Sequence, residues 1–498
     1  MLSVYFTKGW RRKGLLLLSV FIYLGLVYLA VGWNKLFTTK PKTEIVLQSF
    51  QRKYSLPKLN AANRKEIVIK DTQSKSQTSH TTKDMSVSEI LTRVYKYFTN
   101  DFPITEEPVL SWIKNEKVFC DKRLLISGDR FAIGKNVRMF PSRRANIQSV
   151  AKGGEEVRFV LNQDLSKEEY IYNMDFWEMD CPKENTPINS NGFYWSRNIV
   201  LKTESNNSKA ENQSVPRTET MYTIGVRRQD YANLHNWVRD VFNVFIVMLH
   251  FKLQTSQVSI LFLDGHPFTY LDHAWENIYS KPIRIGHLTE PVNYEKFIWG
   301  IQENMGPITE PSAQNTVPYL EEFRSFVLSQ FNLSSEHKLQ CSKPKITLIL
   351  RRNAVYHPRN VEGKVGRKIF NEPEIVDALM KKFPKAHIET ILMESVPMVT
   401  QLKISSNTDI WIGMHGAGMS HTIFLPKHAG VLELFAKDFK SGRPWFKCFH
   451  DITNWRNMSY QTWENLDSAL DMPHDFTIVP TEILTSKVEA LMNKLCPK

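Results

Sequence analysis

Five cysteines in 498 residues, none of them in a Cys-x-x-Cys pair, leave this chain without zinc-ribbon spacing. No Gly-x-Ser-x-Gly pentapeptide occurs, so the strand-turn-helix nucleophile of a serine hydrolase has no carrier. No Asp-x-Asp triplet occurs either, which argues against a design in which paired carboxylates bridge a divalent metal to a diphosphate. There is no internal repeat of the kind that builds a solenoid. The net charge of +13 is spread along the chain, and no module interleaves aromatic with basic residues, so a nucleic-acid partner is not expected.

What is present is an ordinary globular composition, 42% hydrophobic and 23% charged, long enough for two to three domains. One long uncharged run, Gly14 to Trp33, has the length of a bilayer-spanning helix and follows Lys8, Arg11, Arg12 and Lys13. Its apolar core exceeds that of a cleaved signal peptide, so an uncleaved anchor is expected, with residues 1–13 cytosolic and the body lumenal. Residues 34–103 are polar and without apolar periodicity, as in a stem. Sequons at Asn206, Asn212, Asn332 and Asn457 agree with a lumenal body. So do Cys120, Cys181, Cys341, Cys448 and Cys496, enough for two disulfides of undetermined pairing and one remaining thiol.

The body divides near Cys341. From 104 to 340, short apolar runs and a strand-like VRFVLN at Val157 lead to an apolar helix over Trp237–Lys252. A strand at Ile260–Leu263 follows, then the turn Asp264-Gly265-His266 and an amphipathic stretch over Leu320–Phe331. From 341 to 498 the alternation is regular. ITLILRR from Ile346 is a strand, NEPEIVDALMKKFP from Asn371 a helix with Pro373 near its start, HIETILM from His387 a strand, and Ser395–Ser406 a helix. Alternating elements of this length predict a parallel, doubly wound sheet. The fold expected is α/β, a GT-B-like pair of doubly wound Rossmann-type domains behind an N-terminal transmembrane helix.

The most informative stretch is TDIWIGMHGAGMSHTIFLPKHAGVLELF, Thr408 to Phe435, which reads as strand, tight turn, helix, strand. Small residues at His415-Gly416-Ala417-Gly418 let backbone amides approach a ligand, and a helix opening there favours an anion, of which a diphosphate is the obvious candidate. The alternative is a structural turn whose glycines merely close the bend. His415 and His421 add little by themselves.

Three blocks carry a resemblance. NTDIWIGMHGAGMSHTIFLP, Asn407 to Pro426, resembles the signature of glycosyltransferase family 61. RKIFNEPEIVDAL from Arg367, after a strand end bearing Arg351, is similar to that family's Arg-Lys-Ile-x-Asn segment. FLDGHPFTYLDHAWENIYS from Phe262, with Leu271 and Trp275, looks most like the xylosyltransferase branch, whereas the HGAG block looks nearer to the O-GlcNAc branch. The resemblance spans roughly residues 233–435. One departure stands out: where the family has Asn-x-x-His before a downstream Asp, here Asp240, this chain has Asn233-Leu-His-Asn236, with His235 beside the vacated slot.

The resemblance implies an inverting, metal-independent transfer from a UDP-sugar co-substrate, with no further cofactor, to a glycoprotein or N-glycan acceptor. The reaction expected first is β-1,2-xylosyl transfer to the N-glycan core mannose, and the second is O-GlcNAc transfer to Ser or Thr of extracellular domains. A membrane-tethered, non-catalytic glycan-binding protein stands as a reading of another class, and a single-pass type II Golgi location suits all three. Such a transfer needs a stabilised leaving diphosphate and a base for the acceptor hydroxyl. Gly416, Ala417 and Gly418 with His415, Arg351 and Arg367 are the candidates for the diphosphate. Glu433 is the candidate for the ribose hydroxyls. Asp264, Asp240 and His266 are the candidates for the base. Trp275 and Trp299 are weighed for stacking on sugars against ordinary core packing. A serine hydrolase, suggested by the likeness of HGAG to the oxyanion-hole HGGG of esterases, lacks its nucleophile.

Overall fold

The structure is a computed structural model that describes residues 109–128, 130–145, 170–182, 196–203, 217–302, 305–309, 317–355, 357, 360, 362–440 and 447–497. The membrane-anchor, stem and Val157 strand expectations, and the sequons at Asn206 and Asn212, lie outside these residues. Among the described residues no helix is long and apolar enough to cross a membrane. All of them fall within one compact unit.

The first half opens with a short helix, α1 (Val109–Lys114), and a run of strands: β1 (Glu116–Phe119), β2 (Leu124–Ser127), β3 (Phe131–Met139), β4 (Arg144–Ala145), β5 (Ile171–Tyr172), β6 (Trp177–Asp180), β7 (Ile199–Lys202) and β8 (Arg217–Val226). Then come α2 (Leu234–Phe251), β9 (Val258–Phe262), α3 (Tyr270–Ile278), β10 (Ile283–Arg284), β11 (Val292–Trp299) and α4 (Leu320–Gln330). Nine of these strands form one sheet whose main order is β1-β2-β3-β11-β8-β9-β10. The expected doubly wound sheet is only half realised here. β11, β8, β9 and β10 are parallel, but β1, β2, β3 and β11 run antiparallel. Links of three or four residues join β1 to β2 and β2 to β3, too short for the crossover that parallel pairing demands.

The second half follows the expected alternation closely. Its elements are β12 (Lys345–Ile349), β13 (Lys368–Ile369), α5 (Glu372–Lys382), β14 (His387–Ile391), α6 (Met398–Ser405), β15 (Ile410–Met414), β16 (Gly430–Phe435), α7 (Cys448–Trp455), β17 (Ser459–Glu464), β18 (Asp471–Met472), β19 (Phe476–Thr477) and α8 (Thr481–Leu495). β14-β12-β15-β16-β17 form an all-parallel sheet. Every residue of β15 and β16 is buried, which is why both read as unbroken apolar runs. The helix expected after the HGAG turn is present as a 3-10 helix, Ala417–Phe424.

Three apolar cores result. One underlies the outer face of the first sheet around Trp177, Phe297 and Trp299, and another lies between α5, α8 and the second sheet. The largest runs between the halves, where α2, α4, the 3-10 helix and β15 contribute Phe242, Phe323, Phe424 and Trp411. α2 is buried along most of its length, as a helix apolar on nearly all sides must be. Two disulfides, Cys120–Cys181 and Cys341–Cys496, use four of the five cysteines and leave Cys448 as the thiol.

Candidate functional site

In sequence order the five parallel strands of the second sheet lie 2-1-3-4-5, so the chain reverses direction of winding between β12 and β15. Ligands of open α/β sheets bind outside the carboxyl ends of the strands at such a switch point. Arg351 follows β12 and His415-Gly416 follows β15, which puts both at that crevice.

Gly416 is extended, at φ 161° and ψ 176°, a conformation open to any residue. Its need for glycine is a matter of space: a Cβ there would lie 2.1 Å from Nη1 of Arg351. The guanidinium therefore rests against the turn. Its Nε donates to the Gly366 carbonyl at 3.0 Å, tying it to the residue before Arg367. Arg367 sits at φ 59°, a left-handed conformation that costs a non-glycine residue about 1 kcal/mol or more and recurs at ligand clamps. Its guanidinium lies 4.8 Å over Phe439, a ring that also packs on His415. The expected diphosphate residues Arg351, Arg367, His415 and Gly416 thus converge, and Ala417 and Gly418 open the 3-10 helix beside them.

The far end of that helix is held by charge. Arg456 donates to the Thr422 and Leu425 carbonyls, and Arg324 to that of Phe424. Cations on terminal carbonyls complement the helix dipole.

Glu433 departs from its expected role. It is fully buried, with Oε1 2.6 Å from His415 Nδ1 and Oε2 accepting from the Tyr460 hydroxyl at 2.7 Å. Both oxygens are spoken for, so it orients the histidine from below instead of meeting ribose. Burial holds the His415 imidazole below its ordinary pKa; Glu433 opposes this, while the charges of Arg367 and Arg351 push the same way as burial. Burial thus favours the neutral imidazole, whose Nδ1–H donates to Glu433 Oε1.

Of the three base candidates, Asp264 and His266 follow the carboxyl end of β9, and Asp240 lies on α2. Asp264 accepts from the Arg228 backbone at 2.9 Å, from its Nε at 3.1 Å and from its Nη2 at 2.6 Å. Burial alone would raise the Asp264 carboxyl, but the Arg228 charge and hydrogen bonds outweigh it and hold the group well below the carboxylate range. Arg228 also pairs with Asp272, which takes Arg284 as well. His266 is fully buried, 2.7 Å from the Arg228 carbonyl through Nε2 and stacked on Tyr231 at 4.6 Å. Asp240 is buried on α2 and adds to the field on Arg228. Asp264 and His266 are therefore held in a buried network around Arg228. Trp275 and Trp299 are core residues, 2% and 0% exposed.

Sequence reasoning missed two contacts that join the halves. His357, in the loop after Arg351, lies 2.8 Å from Asp230 and tilts over Tyr231. His235, beside the vacated family slot, places Nδ1 3.3 Å from the Ser420 hydroxyl on the HGAG helix. Burial, with Arg239 and His415 nearby, depresses the His235 pKa to about 3. Asn236 itself accepts from Arg239 at 2.9 Å. No local pattern announces either contact, because each joins segments over a hundred residues apart.

Against known proteins, residues 235–432 match the family model Glycosyltransferase 61. A β-1,2-xylosyltransferase of Oryza sativa subsp. japonica is 27% identical over 283 residues, 52% of this chain and 50% of that protein. The EGF domain-specific O-linked N-acetylglucosamine transferase of Drosophila melanogaster is 32% identical over 251 residues, 47% of this chain and 44% of that protein. A β-1,2-xylosyltransferase of Arabidopsis thaliana is 23% identical over 312 residues, 55% and 56% of the two chains. The chain spans about half the length of the curated relatives it matches.

Proposed function

From the glycosyltransferase 61 domain that this chain carries over residues 235–432, we propose that it is an inverting UDP-sugar glycosyltransferase acting on glycoproteins of the secretory pathway. The observation that carries this reading is the meeting of Arg351, Arg367 and the Gly416 turn at the switch point of a parallel sheet. Two guanidiniums and the first amides of the 3-10 helix offer a diphosphate charge and hydrogen bonds without a metal. We read the two halves as a GT-B-like pair, with the donor on the second and the acceptor on the Arg228–Asp264 side.

In the reaction the acceptor oxygen attacks the anomeric carbon from the face opposite UDP, the bond from that carbon to the diphosphate breaks, and UDP leaves with the bonding pair. Arg351 and Arg367 neutralise the charge that develops on the leaving oxygen. His415, steadied by Glu433 and Tyr460, fixes the turn that carries these amides. The acceptor proton needs a base, for which Asp264, Asp240 and His266 are the groups to test by substitution. Xylosyl transfer to an N-glycan mannose is the preferred chemistry because the Phe262–Ser280 block resembles that branch. GlcNAc transfer to Ser or Thr is the second reading, favoured by the HGAG block and by the Drosophila relative. A type II Golgi anchor through Gly14–Trp33 completes the proposal. It is tested by titrating the full-length chain with UDP and by screening UDP-xylose and UDP-GlcNAc for hydrolysis and transfer. Turnover with one donor names the branch, binding without turnover returns the non-catalytic reading, and absence of UDP binding overturns the transferase.

A further inference from the structure

At the opposite end of β15 from the HGAG turn, three side chains from three separate segments meet. Asp409 precedes β15 and is 1% exposed. His337, from the connector between α4 and β12, brings Nε2 to 2.9 Å from Asp409 Oδ1. His428, from the turn before β16, brings Nε2 to 2.8 Å from the same oxygen. The two imidazoles stack at 5.5 Å with 29° between their planes. The second carboxylate oxygen accepts from the Lys345 backbone amide at 2.8 Å, which fixes how the carboxylate is presented.

We propose that His337, Asp409 and His428 form a binding site for a divalent transition metal of the zinc class, which fastens the connector to the second sheet. The three ligand atoms lie within 4.8 Å of one another. A tetrahedral zinc with bonds of about 2.0–2.1 Å sets its ligand atoms roughly 3.3 Å apart, so each Nε2 draws back about half an ångström from Oδ1 while the two nitrogens close to that spacing. Coordination through both Nε2 atoms leaves each Nδ1 protonated and the rings neutral, as metal binding requires. Two imidazoles and one carboxylate suit zinc better than magnesium or calcium, which prefer oxygen. The histidine side chains are 13% and 27% exposed, which gives the ion a path in and a water a place as fourth ligand. The donor turn lies a strand length away, about 16 Å for five residues, so the ion has no part in the transfer chemistry.

The test uses the full-length chain, dialysed against chelator with its disulfides intact, and titrates ZnCl2 while following thermal unfolding and heat of binding. One zinc per chain should bind and raise the unfolding temperature, whereas MgCl2 at the same concentration should do neither. His337→Ala/His428→Ala should abolish the zinc-dependent part. His428→Gln, the milder change, should weaken zinc binding by at least the roughly 10–100-fold that removing a ligand's hydrogen-bond partner costs. A purely hydrogen-bonded cluster would lower the unfolding temperature of the variants and leave no zinc dependence in any of them. Absence of a zinc shift in the wild type, an equal shift in the variants, or an equal shift with magnesium each overturns the proposal. UDP affinity, measured alongside, should be the same in all three proteins.

Discussion

Gly416→Ala is the sharpest test of the donor site, because its effect should pass through a single side chain. The backbone at Gly416 is extended, so alanine is not strained there. The added Cβ falls 2.1 Å from Arg351 Nη1, and ordinary contact begins at 3.4 Å, so the guanidinium must retreat by about 1.3 Å. It cannot retreat freely, since its Nε is bonded to the Gly366 carbonyl and losing that bond costs about 1 kcal/mol. Misplacing a positioned group by about 1 Å costs on the order of 100-fold in rate. UDP affinity and turnover should therefore drop by roughly 30–100-fold, while a stability loss near 1 kcal/mol moves the unfolding temperature by only about 2–4 °C. Isothermal titration with UDP and a donor-turnover assay read the first, and thermal unfolding reads the second. In an Arg351→Ala background the same glycine change should be nearly silent. Wild-type affinity in Gly416→Ala, or simple additivity of the two changes in the double variant, would refute the coupling.

Asp264→Asn should act on stability before chemistry, because it takes from the buried Arg228 guanidinium the nearer of its two charge partners; a loss of about 3 kcal/mol in chemical denaturation is expected. A well-folded but inactive Asp264→Asn would instead restore the base role. Burial lowers the pKa of both His235 and His421 from 6.5 to about 3, so the unfolded chain takes up protons that the folded one refuses. Their contribution to stability is complete above about pH 6.5 and is lost as pH falls toward 3, at up to roughly 1.4 kcal/mol per pH unit for each. His421→Gln should flatten that acid limb in unfolding measured from pH 7 to 4, and an unchanged slope would show that the imidazole is not buried neutral. Replacing Cys341 and Cys496 by alanine opens a loop of 155 residues and should cost about 5 kcal/mol by chain entropy, measured as a lower denaturation midpoint.

Much of the second half was legible because its signals are local. The apolar runs Ile410–Met414 and Gly430–Phe435 coincide with β15 and β16, and Pro373 stands in the first turn of α5 as expected. Arg351, Arg367 and the HGAG residues were chosen from the chain alone, and they meet at one crevice. In the first half, the helix α2, the strand at β9 and the amphipathic stretch that became α4 were legible, and the opening strands were not. The antiparallel strands β1 to β3 are short and joined by tight links, so period-2 patterning had little length in which to emerge.

The sequence by itself determined where strands and helices alternate, which strand ends carry arginine, and that a turn of small residues follows β15. These depend on neighbours within a few residues, and periodicity and turn chemistry report them. Only the tertiary structure decided that Glu433 is sealed beneath His415, that Arg228 claims Asp264, and that Gly416 is small to make room for Arg351. Each of those outcomes joins side chains 18 to 65 positions apart. What a carboxylate can do is set by the charge folded against it and the water it has lost, and neither is written in the residues beside it.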